Sequence, residues 1–286
     1  DLSYSNSDTL TEELKHFVKT HGKWDAIVHV AGITQAIYKS AFNKINFEYT
    51  QHFVDALIKA DAVPHTFIFM SSLGAIGVGD EIHYTPMQCN ITPNANTAYG
   101  KSKLLAENYL KSIPHFPYVI LRPTGVYGPN DKDYLILMKA VKKGINVGAG
   151  FKKQLLSFIY IDDLADIIFD CIEKEIYRKE YFVSDGCSYT DNEFNKIVQQ
   201  ALQRKKVLRL KLPLSIVKTA SIVSEGIGRL LRRSVTFNTD KYKIMKQRNW
   251  ACDISPLQQE IGVTPKVHIK EGVEKTVAWY REKGWL

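Results

Sequence analysis

Apolar residues recur along the chain in two alternating patterns, one at helical spacing and one as short continuous runs. Leu10, Leu14, Phe17 and Val18 stand three or four positions apart or adjacent, which predicts an amphipathic helix over residues 9–20. The run from Ala26 to Ala31, closed by Gly32, reads as a strand apolar on both faces, as buried parallel strands are. A helix over 43–60, a second apolar strand over 66–70 and a long loop rich in glycine and proline follow, up to about Asn96. Residues 97–112 read as a helix and 117–123 as a third strand. Strands alternating with helices at this spacing predict an α/β fold built on a doubly wound parallel sheet. The second half is less regular, with helices predicted over 133–143, 161–174, 190–203, 213–233 and 268–283 and a short strand over 181–183. The pattern divides the chain into a core over 1–150 and a smaller C-terminal α/β lobe over 151–286, with a return to the core near 155–185.

Composition changes this picture little. Hydrophobic residues make up 45% and charged residues 24%, values of a globular chain able to bury a core. The net charge of +8 raises the question of nucleic acid, but the basic pairs and triplets (Lys152-Lys153, Arg204-Lys205-Lys206, Arg232-Arg233) read as dispersed surface charge. The expected partner is a small molecule, not nucleic acid or a membrane. Cys89, Cys171, Cys187 and Cys252 lie far apart without metal-ligand spacing, so reduced thiols in a cytoplasmic protein and no metal site are expected.

The chemistry concentrates in Tyr99-Gly100-Lys101-Ser102-Lys103 at the start of a helix. A tyrosine and a lysine four residues apart share a helix face. A lysine ammonium beside a phenol favours the phenolate, so Tyr99 is expected to have a lowered pKa and to serve as acid or base. Ser71-Ser72 ends the preceding strand, on the side of an open α/β sheet where ligands bind. A hydroxyl there can hold a substrate oxygen while Tyr99 moves its proton.

The blocks F-I-F-M-S-S-L-G-A-I-G (67–77), Y-G-K-S-K (99–103), L-R-P-T-G-V-Y-G-P (121–129) and F-I-Y-I-D-D-L-A (158–165) resemble those of extended short-chain dehydrogenases/reductases. That family holds nucleotide-sugar epimerases, 3β-hydroxysteroid dehydrogenases and dihydroflavonol reductases. The tail blocks W-A-C-D-I-S (250–255) and E-G-V-E-K-T-V-A-W-Y (271–280) are similar too. The resemblance implies a Rossmann-like core that binds NAD or NADP and a C-terminal substrate-binding lobe. It implies Tyr99 as catalytic acid/base, Lys103 as its tuning partner and a ligand of the nicotinamide ribose, and Ser72, with Ser71 as the alternative, as the polarising hydroxyl. Ala31, Gly32, Pro123 and Thr124 would line the cofactor, and Asp1-Leu2 resembles the Asp-Leu that faces the adenine. Asn96, Tyr127 and Tyr160 are candidate substrate contacts. Arg122, Asn46 and Asp162-Asp163 fall at positions that are mostly structural. Family members often dimerise through two helices, here 43–60 and 97–112.

The sequence departs from the family pattern at several points. The glycine-rich loop that cradles the pyrophosphate is not supplied by Gly74, Gly77 or Gly79, which follow the wrong strand. The first strands of the fold, roughly two ~30-residue strand–helix units, are therefore expected to precede Asp1. Leu73-Gly74 stands where dehydratases carry two acids, which disfavours dehydration. Leu155-Leu156-Ser157 stands where many nucleotide-sugar enzymes carry an arginine, which tilts toward a less charged substrate. The helix over 213–233, with Arg229, Arg232 and Arg233 near its end, reads as lid packing or as a membrane-surface helix, the first being the blander reading. The reading that results is an NAD(P)-dependent dehydrogenase, reductase or epimerase. The alternative is a non-catalytic ligand-binding protein on the same fold.

Overall fold

The computed structural model describes residues 4–286; the expectation for Asp1 and Leu2 lies outside them. In chain order the elements are α1 (Ser7–His21), β1 (Ala26–His29), α2 (Ser40–Phe42), a π-helical segment (Asn43–Glu48), α3 (Tyr49–Lys59), β2 (Thr66–Met70), α4 (Ala98–Ser112), β3 (Tyr118–Pro123), β4 (Gly125–Tyr127) and α5 (Asp133–Lys142). They continue with β5 (Ile145–Ala149), β6 (Leu155–Leu156), β7 (Phe158–Tyr160), α6 (Ile161–Glu173), β8 (Lys179–Val183), β9 (Tyr189–Thr190) and α7 (Asp191–Ala201). The last are β10 (Leu208–Leu212), α8 (Leu214–Leu230), α9 (Thr239–Lys246), α10 (Ser255–Ile261) and α11 (Ile269–Glu282). Two compact units result: one takes the chain up to Gly77, Thr92–Arg122 and Ile168–Tyr181, the other Val78–Ile91, Pro123–Ile167 and Phe182–Leu286.

The first unit is built on the expected parallel sheet, in the order β1-β2-β3-β8. β2 is buried along almost its whole length and pairs in parallel with β1 (Val28↔Ile68) and with β3 (Ile68↔Val119). Leu10 and Leu14 of α1, Val54 and Leu57 of α3, and Ala106 and Leu110 of α4 pack with Phe67, Phe69 and Ile120 into its core. α1 starts where Asn6 Oδ1 accepts from the Asp8 and Thr9 amides, and it stops at Gly22, whose φ of 84° a side chain would strain.

Val28 of β1 and Val30 just beyond it are 37% and 62% exposed among the described residues. His29, on the opposite face, is buried in a stack with Phe53, Phe67 and Phe69. Burial, and next the charge of Lys103, push this imidazole down to about 4, so it packs as a neutral ring. The helix expected over 43–60 is present, running without a gap from Ser40 to Lys59. Asn43–Glu48 within it is π-helical, and Asn46 sits there fully buried.

Below the carboxyl ends of β2 and β3 lies a buried ionic cluster. Arg122 of β3 grips Glu107 of α4 with two parallel bonds, Nε to Oε1 at 3.0 Å and Nη2 to Oε2 at 2.7 Å, and both residues are fully buried. Ser71 donates to Glu107, and Arg122 also donates to Glu180 of β8. One guanidinium thereby ties two strands and a helix, and Ser71, just past β2, joins them through Glu107.

The second unit has its own core, where Tyr127, Phe158, Tyr160 and Phe194 pack with Met138, Val273 and Tyr280. Asp163 at the start of α6 accepts from the Lys266 and Val267 amides, a structural role matching the expectation for that pair of aspartates. β5 and β10 form a parallel ladder that the hydrophobic pattern did not predict, its strands carrying several exposed apolar residues.

Because Glu107 has no water to fall back on, removing its partner leaves an uncompensated buried charge. Arg122→Met should destabilise the protein by about 3–5 kcal/mol, read as a lowered urea midpoint. A loss below about 1 kcal/mol would show the pair to be marginal.

Candidate active site

The carboxyl ends of β1 and β2 and the first turn of α4 meet in the first unit, and their side chains converge. β2 hands over to Ser71 and Ser72, after which the chain makes a tight turn over Leu73–Ala75. Ser72 caps that turn, its Oγ accepting from the Gly74 amide at 3.1 Å. One lone pair is thereby fixed, and the hydroxyl proton is left to donate elsewhere. The Tyr99 ring lies beside the same turn, close enough for the Ser72 hydroxyl to favour the ionised phenol.

α4 begins next to this turn because Thr97 caps it, its Oγ1 accepting from the Gly100 amide at 2.9 Å. Gly100 is what lets the two segments meet. A Cβ there would lie 2.1 Å from the Gly74 carbonyl oxygen, so only glycine brings Tyr99 this close to Ser72. The Tyr99 ring is also held edge-on by Phe42 at 6.2 Å between centroids.

Lys103, one turn further along α4, is buried. Its Nζ donates to the Met70 carbonyl at 2.8 Å and lies 4.9 Å from the centre of the Phe69 ring. Burial pulls the ammonium down to about 8, against the opposing charge of Glu107. Tyr99 moves the other way from the expectation. Its pKa is raised, because burial outweighs the lowering hydrogen bond from Ser72. At neutral pH the phenol is therefore a proton donor, with Lys103 bonded to backbone.

Gly32 completes the site. A side chain at this exposed glycine would meet Asn46 Oδ1 at 2.9 Å and Lys103 Nζ at 3.4 Å. Asn46 fixes the segment beyond β1: its Oδ1 accepts from the Ile33 amide at 2.8 Å, and its Nδ2 donates to the Ile33 carbonyl and to Ser102 of α4 at 3.0 Å each. Sequence reasoning set Asn46 among the mostly structural positions and passed over Glu107 and Ser102, whose partners only the fold brings together.

The remaining candidates fall elsewhere. Ser71 is 2% exposed with its hydroxyl committed to Glu107, so the structure places it in the ionic cluster. Asn96 lies half-buried just ahead of α4, and Ala31 is exposed beside Gly32. In the second unit, Pro123 ends β3, and Thr124 donates from its amide and Oγ1 to the Val183 carbonyl at 3.0 and 3.2 Å. Tyr127 and Tyr160, expected as substrate contacts, are 2% and 3% exposed inside the aromatic core, where packing holds them. The glycines after β2 cradle nothing, since a Cβ at Gly77 would lie 2.0 Å from the Asn94 carbonyl oxygen.

The model of the NAD dependent epimerase/dehydratase family matches residues 4–182. Similar proteins include the sterol-4-alpha-carboxylate 3-dehydrogenase (decarboxylating) of Saccharomyces cerevisiae, 23% identical over 99% of this chain and 84% of that protein. The UDP-glucose 4-epimerase of Vibrio cholerae is 29% identical over 88% of this chain and 73% of its own length. Among solved structures, RMD from Pseudomonas aeruginosa complexed with NADPH superposes with a TM-score of 0.75 at 16% identity, over 99% of this chain and 88% of that one, a likeness of fold.

Two glycines separate a constrained position from a free one. Gly100→Ala should cost about 1–3 kcal/mol by overpacking against Gly74. Gly226→Ala, within α8 with nothing inside 4 Å of the added carbon, should stabilise by up to about 1 kcal/mol. Thermal melts of the two variants check the opposite signs; equal shifts would show that the close approach at Gly100 does not constrain the fold.

Proposed function

Since this chain belongs to the NAD dependent epimerase/dehydratase family, we propose that it is an NAD(P)-dependent oxidoreductase acting at a secondary alcohol or ketone of a small molecule. The observation that carries the reading is the convergence of the Ser72 hydroxyl and the Tyr99 ring on the turn at Gly74, with the Lys103 ammonium one helical turn along α4. The residues present fit the nicotinamide end of the cofactor. Gly32 carries no side chain, and the buried Lys103 Nζ lies 3.4 Å from where its Cβ would stand, as a donor for a ribose hydroxyl.

When bound, the nicotinamide supplies or accepts the hydride. The protein's own residues handle the oxygen and the proton. In reduction, Ser72 donates a hydrogen bond to the carbonyl oxygen, its lone pair being held by the Gly74 amide. Tyr99, kept protonated by burial, gives its proton to that oxygen as the alcohol forms. In oxidation the phenolate must form first. The Ser72 hydroxyl beside the phenol favours it, against the burial that opposes it. Leu73 and Gly74 offer no acid or base to eliminate water, so dehydration is not proposed.

Two named activities among the relatives bracket the substrate. A sterol dehydrogenase and a UDP-glucose epimerase share the family, and the apolar Leu155-Leu156 pair favours a less charged molecule. An epimerase would use the same three side chains twice on one retained NAD, so the trio serves both outcomes. The non-catalytic reading is weaker, because binding alone does not require a serine–tyrosine pair with a buried lysine beside it.

The full chain, incubated with NAD(P)+ and a panel of hydroxysteroids and nucleotide sugars, is expected to change nicotinamide absorbance or epimerise a sugar. Tyr99→Phe should lower turnover by about 10²–10⁴-fold or more while dinucleotide affinity and melting temperature stay put. Turnover within a few-fold of wild type in that variant would rule out Tyr99 as the proton donor.

A further inference from the structure

α8 exposes the face that a helix of a globular protein ordinarily buries. Its buried stripe is Val217, Ser221 and Gly228, a narrow line of mostly small residues. Gly228 permits the fold-back of the following segment, since a Cβ there would lie 2.8 Å from Val235 Cγ1. The opposite face carries Ile216, Ala220, Val223, Ile227 and Leu230, spaced four, three, four and three residues apart. Of these Ile216, Val223 and Ile227 are just over half exposed and Leu230 is 83% exposed. Lid packing, the blander expectation for this helix, would have covered them. β10 leads through Pro213 directly into α8 and continues the pattern. Leu208 and Leu210 pair across the ladder with Ile145 and Val147 of β5, and all four are exposed. Scattered apolar residues on a surface need no explanation, but a continuous helical stripe beside an apolar ladder does.

Charge identifies what covers it. Residues 203–233 hold nine lysines and arginines and one acid, Glu225. The chain's entire formal charge of +8 therefore sits in this segment, and the other residues balance at twenty-nine basic and twenty-nine acidic. Basic residues that look dispersed as pairs and triplets are in this sense concentrated. Glu225 is itself held by Arg229 at 2.5 Å and by the Thr239 amide at 3.0 Å. A second copy of the chain would bring two such basic segments together, at a repulsive cost. A surface that is apolar in its interior and anionic at its boundary matches both features. No helix among the described residues is long and apolar enough to cross a membrane.

We propose that α8, with the adjoining β10, docks this protein on the surface of an anionic lipid bilayer. α8 lies in the plane of the interface. Ile216, Val223, Ile227 and Leu230 enter the boundary between headgroups and acyl chains, by about 5–10 Å as such helices do. Arg229, Arg232 and Arg233, at and beyond the C-terminal end of the helix, pair with lipid headgroups, while long basic side chains keep their charges in water. The inference rests on this surface and its charge and is independent of the reaction proposed above.

Sedimentation of the full chain with vesicles tests it. The protein should pellet with phosphatidylcholine vesicles containing phosphatidylglycerol, far less with phosphatidylcholine alone, and less with both as salt rises. Arg229→Gln/Arg232→Gln/Arg233→Gln should weaken the partition on the order of a hundredfold. Val223→Asp/Ile227→Asp should abolish it. All five positions are exposed, and circular dichroism confirms that the variants fold. Failure to pellet with anionic vesicles, or pelleting that both variants leave unchanged, would overturn the proposal. So would a concentration-dependent dimer in the ultracentrifuge that the aspartate variant dissociates, since the face would then belong to a second copy.

Discussion

The space where Gly100 would carry a side chain is filled by the carbonyl oxygen of Gly74, 2.1 Å from the ideal Cβ position. This contact between the first turn of α4 and the turn after β2 sets the geometry on which the site depends. It brings the Tyr99 ring beside the turn that Ser72 caps, and the helical repeat then places Lys103 over the end of β2. The arrangement is rigid because both partners are backbone. Beneath it, the Arg122–Glu107 pair locks the same helix to β3, and Ser71 joins that pair from the other side. Adjacent serines therefore do different work: one anchors the helix, and its neighbour faces Tyr99.

Electrostatics in this site is governed by burial more than by pairing. Tyr99 is pushed toward its protonated form, and Lys103 is pulled down to about 8. A phenol held protonated in this way can give its proton in reduction, whereas the phenolate that oxidation needs is costlier to form there than in water. The alternating spacing of tyrosine and lysine on one helix face foretold their proximity. It did not foretell that Lys103 would be engaged by the Met70 carbonyl.

Much of this was legible in the residues. Continuous apolar runs identified β2 and β3, the alternation with helices gave the parallel sheet, and the order of Ser72, Tyr99 and Lys103 pointed to one site. What escaped had physical reasons. Val28 and Val30 read as buried because apolar character reports preference, whereas burial itself depends on what packs against their face. Tyr127 and Tyr160 follow strands on the ligand side by count, but their rings belong to an aromatic core that no local pattern encodes. β5 and β10 pair across sixty residues of sequence, and the exposure of α8 depends on which of its two faces a small-residue stripe lets the neighbours approach. Asn46 acts through bonds to a loop and to a distant helix, which only the fold brings together.

Gly32 and Lys103 are proposed as the nicotinamide end of a dinucleotide site, and binding tests that assignment most directly. Isothermal titration of the protein expressed from its complete reading frame with NAD+, NADH, NADP+ and NADPH should show one dinucleotide per chain for at least one of them. Lys103→Met should weaken that binding about tenfold, as expected from losing one charged hydrogen bond, without lowering the melting temperature. If none of the four nucleotides bound that folded protein, or if Lys103→Met bound as tightly as wild type, the assignment of this site would be contradicted.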